Sequence, residues 1–169
     1  LKAKPLWKLF EEKIESDALA KGHAVIRIPE KVVGLWSRKK PAQVKTCFDF
    51  SLSWNGIAIY FDAKHTIKST LNIKDNIVGR AEDKIHQFTS LRGASQKSTI
   101  AGYLIGYSTL GLVTWCPIEV MWKLICDDVK SVSPSTNGVT SHEYDVLIDW
   151  GVLCKEDLQQ SILNMRSLI

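Results

Sequence analysis

No stretch of this chain approaches the roughly 18 consecutive apolar residues that a membrane-spanning helix requires. Its opening, "LKAKPLWKLFEEKIE", is amphipathic and lacks the uncharged apolar centre of a secretory leader. A soluble, intracellular protein is therefore expected, with no membrane partner. Cysteine is scarce as well: Cys47, Cys116, Cys126 and Cys154 lie far apart, with no C-x-x-C pair and no histidines at zinc spacing. That argues against a disulfide framework or a structural zinc site and leaves reduced, mostly buried thiols. Internal repeats are absent, which excludes a solenoid. Excess charge is small too. The 22 Lys and Arg outnumber the 18 Asp and Glu to give a net +4, a balance compatible with nucleic acid without demanding it.

What is present suits one compact domain over residues 1–169, because 45% of 169 residues are hydrophobic and suffice for a core. Residues 5–21 place Leu6, Phe10, Ile14 and Ala18 on one helical stripe with Trp7 beside it, and Gly22 stops the helix. "HAVIRI" at 23–28 reads as a strand. Residues 29–46 hold two prolines and the cluster "SRKKP", and read as a basic loop or extended arm. Two strands at about 47–53 and 57–63 flank "WNG", a tight-turn signal, and so form a hairpin.

Beyond the hairpin, "TIKSTLNIKDNIVGR" is expected to be a polar, irregular connection. A helix over 81–93 would turn Ile85, Phe88 and Leu91 inward. The apolar run 99–108 suits a strand buried on both faces, with 111–115 as its hairpin partner. Pro117 would open a helix reaching Cys126, and the Ser-, Thr- and Asn-rich residues 130–142 are expected to be mobile. A last helix over 155–167 carries Leu158, Ile162 and Met165 within a C-terminal helical extension at about 143–169. This order of elements predicts an α/β fold: a mixed sheet flanked by helices.

Chemistry concentrates in "CFDFSLSWNGIAIYFDAKHT", residues 47–66. Strand alternation puts Cys47, Asp49 and Ser51 on one face of the first strand. It puts Ala58, Tyr60, Asp62 and Lys64 on one face of the second. A hairpin that brings these faces together collects two carboxylates and an ammonium. Two carboxylates about 4 Å apart repel by roughly 4 kcal/mol at an effective dielectric near 20, so stability alone does not favour the arrangement. A hard divalent cation does, because Mg²⁺ takes one or two carboxylates, keeps several waters and accepts phosphate oxygens. Beside it, Lys64 would orient a nucleophilic water and stabilise charge as a phosphodiester is attacked. Glu11 borders the buried stripe of the first helix whereas Glu12 faces solvent, which makes Glu11 the helical candidate for the same site.

With "FEEKIESDALAKGHAVIRIP" and "DKIHQF" added to this hairpin, the chain resembles the PD-(D/E)xK nuclease superfamily over about residues 9–107. The likeness is strongest to Holliday junction resolvases of the RecU type, with Hjc-type resolvases nearby. The resemblance implies a restriction-endonuclease-like fold and a Mg²⁺- or Mn²⁺-dependent endonuclease that cuts four-way DNA junctions in recombination and repair. It implies metal binding by Glu11, Asp49 and Asp62, water activation by Lys64, and Gln87 as a further catalytic residue. It also implies a homodimer, since a junction must be cut symmetrically in two strands, and the cytoplasm of a bacterium or a phage-infected host. The chain departs from the family in carrying Asp62 where glutamate is usual, Phe48 in place of the proline before Asp49, and a shorter segment ahead of Asp49. Residues 116–169 match nothing in it. Trp36 among Arg38, Lys39 and Lys40 is suited to stack on a base while the cations neutralise phosphates, and His65 and Lys68 are further candidate DNA contacts. Alternatives are another nuclease of the superfamily, such as a restriction or repair nickase, and a non-catalytic DNA-binding protein on the same fold.

Overall fold

The computed structural model describes residues 3–28, 31–33, 42–44, 48–79, 82–95 and 99–166. Cys47 and the expected DNA contacts Trp36, Arg38, Lys39 and Lys40 lie outside them, as does the side chain of Met165.

Helix α1 (Leu6–Ala20) ends at Gly22, whose φ of +74° is one that glycine adopts without strain. The amide of His23 donates to Ala18 O and that of Gly22 to Leu19 O, the reciprocal pair that closes a helix C-terminus and turns the chain into β1 (Ala24–Arg27). The basic arm contains a two-stranded ribbon of β2 (Lys31–Val33) and β3 (Ala42–Val44). Strands β4 (Phe50–Trp54) and β5 (Ile57–Thr66) form the expected hairpin; positive φ at both Asn55 and Gly56 makes the two-residue turn match the strand twist. Then come β6 (Leu71–Asn72), a π-helical turn (Lys74–Val78), α2 (Glu82–Ser95) and β7 (Ile100–Tyr107). A 3₁₀ turn leads to β8 (Leu112–Pro117), α3 (Ile118–Cys126), β9 (Ser131–Val132), β10 (Thr140–Glu143), α4 (Trp150–Leu153) and α5 (Lys155–Arg166).

The main sheet has six strands in the order β1-β4-β5-β7-β8-β10, antiparallel throughout except for the parallel β5/β7 pair. Parallel neighbours need a long crossover, and the segment carrying α2 supplies it. Alternation along β7 sorts the core into two layers. Ile100 and Leu104 face α1, α4 and α5 with Phe10, Ile14, Phe61, Trp115 and Trp150. Ala101, Tyr103, Ile105 and Tyr107 face α2 and α3 with Phe88, Leu91, Ile118 and Met121. Helices therefore cover both faces of a mixed sheet, as the pattern of elements predicts. Cys116 and Cys154 are buried free thiols and Cys126 an exposed one.

Two glycines on β7 make room for the first layer. A Cβ on Gly106 would meet the Phe10 ring at 3.0 Å, and one on Gly102 would lie 2.6 Å from Cys116 O and 2.7 Å from the Trp115 indole. Gly102→Ala is accordingly expected to cost about 2–3 kcal/mol by overpacking, seen as a lower urea midpoint at unchanged m-value. An unmoved midpoint would show that Trp115 and β8 yield without cost.

Four sequence expectations need correction. Leu6 and Ile85 carry the right period but are about half exposed, at 50% and 47%. Both lie in the first turn of their helices. Periodicity identifies a face, not how far along the helix a neighbour covers it. The segment after β5 is not irregular: β6 and the π-helical turn bury Leu71, Ile73 and Ile77 against the second layer. Residues 130–142 are not simply a mobile connection. Val132 is fully buried and its carbonyl accepts from Tyr107 Oη at 2.9 Å, while β10 supplies the sixth strand. Their hydroxyls serve this structure: Thr136 Oγ1 accepts from the Ser133 amide at 2.9 Å, and Thr114 bonds Ser141 at 3.0 Å.

Candidate active site

Asp49 sits immediately before β4, and its backbone is pinned there because the Ile28 amide donates to Asp49 O at 2.8 Å. Phe48 packs its ring on Tyr60, 4.7 Å between centroids. The β4/β5 register pairs Phe50 with Phe61, so one step further along the ladder Asp49 meets Asp62. Asp49 Oδ2 accepts from the Ala63 amide at 3.1 Å, which ties its carboxylate to β5 beside Asp62. The two aspartates are brought together as the alternation predicts.

Asp62 is completely buried, on the sheet face that α2 and α3 cover. Neither of its carboxylate oxygens has an aligned hydrogen-bond donor, although the Lys64 ammonium forms an ion pair with Oδ2. Burial pushes the Asp62 carboxyl up to about 8; Lys64 pulls against that rise and the neighbouring Asp49 adds to it. Lys64, two residues on along the same face, donates from Nζ to Gln87 Oε1 of α2 at 3.4 Å. Asp49, Asp62, Lys64 and Gln87 thus form one contiguous group.

Glu11 approaches this group without joining it. Its carboxylate is buried at the inner edge of α1 and ion-paired with Arg27 of β1, whose second terminal nitrogen lies 3.9 Å from Glu15. Burial raises the Glu11 carboxyl; Arg27 opposes the rise and Asp49 reinforces it, so Glu11 is within electrostatic reach of Asp49. His65 points the other way, its ring 5.9 Å from that of Phe10 on the α1 side, where burial lowers its affinity for a proton. Lys68 is exposed in the turn after β5.

Among the described residues, no set of three or more His, Cys, Asp and Glu side chains is gathered closely enough to hold a metal ion. The Asp49/Asp62 pair nevertheless fits a hard cation. Asp62 offers two buried oxygens without aligned donors and Asp49 a half-buried carboxylate beside them, and the crowding of like charge is what an oxygen-ligated Mg²⁺ or Mn²⁺ would relieve.

No protein-family model matches the chain, and no curated protein matches it. Among the solved structures to which it is similar is Hjc of Archaeoglobus fulgidus, a Holliday junction resolvase from an archaeal hyperthermophile, at 13% identity over 66% of this chain and 77% of that one, with a TM-score of 0.44. At that score the likeness bears no weight for the chemistry, which rests on the side chains themselves.

Two neighbours of the site escape sequence reasoning. Arg27 carries a weak signal, as a lone cation in the short apolar strand next after the helix of Glu11. Tyr103 carries none until the β5/β7 register is known, and that register sets it opposite Asp62.

Proposed function

We propose that this protein is a divalent-metal-dependent, structure-selective DNA endonuclease of the restriction-endonuclease-like fold that resolves four-way junctions. The observation that carries the reading is the fully buried Asp62, its oxygens without aligned donors, set beside Asp49 and Lys64 on one hairpin. A purely structural carboxylate at such depth would be expected to have its hydrogen bonds satisfied. The resemblance of residues 9–107 to junction resolvases supports the choice of substrate.

Asp49 and Asp62 would hold Mg²⁺ or Mn²⁺, with Glu11 as the third carboxylate within reach. The bound cation would supply Lewis-acid polarisation of the phosphodiester and neutralise charge at its oxygens. Lys64 orients the attacking water and, as a fixed positive charge in a partly dehydrated site, stabilises negative charge accumulating on the phosphoryl oxygens. Gln87 is a positioning residue that holds the Lys64 ammonium from α2. Arg27 ion-pairs with Glu11 and favours its ionised form against the effect of burial. Symmetric cutting calls for a two-fold dimer presenting two such sites, and the basic arm and Lys68 would meet the phosphates of the junction.

The test is cleavage of an end-labelled four-way junction against linear duplex built from the same arms, in Mg²⁺ and in EDTA. Paired, metal-dependent nicks confined to the junction are expected. Cutting of plain duplex would move the protein elsewhere in the superfamily, and tight binding with no cut in Mg²⁺ would mark it as a DNA-binding protein without turnover.

A further inference from the structure

Tyr103 is 1% exposed, and its phenolic oxygen has no hydrogen-bond partner among the described residues. A buried hydroxyl is normally satisfied, and this one lies beside Asp62, which is ion-paired with Lys64 but whose oxygens have no aligned donor. The parallel register pairs Tyr103 with Asp62, and both side chains rise from the same sheet face, toward α2 and α3. Two buried polar groups without aligned partners, one a donor and the other an acceptor, therefore stand on adjacent strands. No direct hydrogen bond joins the two, although a tyrosine side chain reaches further above a sheet than an aspartate does, and one bridging water would satisfy both.

Burial, followed by the negative charge of Asp62, holds the phenol neutral well above the usual tyrosine range. Tyr103 is therefore a permanent donor at any working pH. The other tyrosine of that layer with a buried hydroxyl, Tyr107, has its proton committed to Val132 O.

We propose that Tyr103 is a positioning residue of the carboxylate pair: its hydroxyl donates through one ordered water to Asp62 and fixes the orientation in which Asp49 and Asp62 accept a divalent cation. The inference rests on the nuclease reading and adds a residue to it. Groups that hydrogen-bond a ligating side chain from behind commonly change metal affinity by about 10- to 100-fold, and a similar loss is expected here.

The experiment measures Mn²⁺ binding to DNA-free protein by calorimetry for the wild type, Tyr103→Phe and Asp62→Asn, with thermal unfolding in EDTA alongside. Tyr103→Phe removes one oxygen and keeps the ring that packs the layer, so the fold should persist. Support would be Mn²⁺ affinity about tenfold or more weaker in Tyr103→Phe, with an unfolding midpoint in EDTA that is not raised. If Tyr103→Phe binds Mn²⁺ as the wild type does and unfolds at a higher temperature, the hydroxyl is an unsatisfied group with no role, and the inference falls while the nuclease reading stands. If the wild type takes up no Mn²⁺, or Asp62→Asn binds it equally well, the inference and the nuclease reading fall together.

Discussion

Replacing Asp62 by asparagine is expected to reduce metal-dependent cleavage by on the order of a thousandfold while leaving junction binding within a few-fold of wild type. The substitution removes the charge that a cation requires and preserves the volume that β5 and β7 pack around. It should also alter stability, in a direction set by linkage. The Asp62 carboxyl is raised in the folded protein to about 8 from an ordinary aspartate value of 3.8. Below the unfolded value both states hold the proton and nothing is lost. As pH rises toward the folded value, the unfolded chain releases the proton first, so the native state loses stability across roughly pH 4 to pH 8, by on the order of a few kcal/mol. Asparagine has no proton to lose. In EDTA the unfolding midpoint of Asp62→Asn should therefore rise relative to wild type between pH 5 and pH 9, and saturating Mg²⁺ should narrow the gap by stabilising only the wild type. Parallel midpoints at both pH values would show that Asp62 is not held as a strained acid. Lost binding alongside lost cleavage would mean that its role is structural.

The legible and illegible parts of this site differ in range. Asp49, Asp62 and Lys64 could be placed on one face because alternation and an Asn-Gly turn are local rules, and the β4/β5 register follows from both. Phe88 and Leu91 were legible on α2 for the same reason, whereas Ile85 was not, since coverage of a first turn depends on a distant neighbour. Non-local facts were hidden. The pairing of Glu11 with Arg27 depends on how α1 packs against β1, and the position of Tyr103 depends on a parallel register that no short-range pattern encodes. Composition misled in one place. The polar run 130–142 resembles a linker, yet its hydroxyls satisfy backbone groups around a buried Val132 and a strand that extends the sheet.

The ammonium of Lys64 offers the sharper test of mechanism, because it separates holding a cation from performing the reaction. Lys64→Met keeps an unbranched apolar stem, removes the charge and leaves Gln87 Oε1 without the donor it receives at 3.4 Å. Cleavage should fall by about 10²- to 10³-fold, the scale seen when one donor to a developing oxyanion is removed. A second consequence follows from the carboxylates. Lys64 is the group that pulls the Asp62 proton affinity down against burial, so without it Asp62 holds its proton to a higher pH, and a cation must displace that proton to bind. The pH at which Mn²⁺ begins to raise the unfolding temperature should accordingly move upward in Lys64→Met. If Lys64 acts only by keeping Asp62 ionised, raising the pH should restore cleavage fully. If it also orients the attacking water, a deficit of about tenfold or more should persist at alkaline pH with the cation fully bound. Because both residues serve one step, Asp62→Asn combined with Lys64→Met should be hardly slower than Asp62→Asn alone. Losses that multiplied instead would place Lys64 outside the reacting group and leave it as a surface cation that draws in DNA.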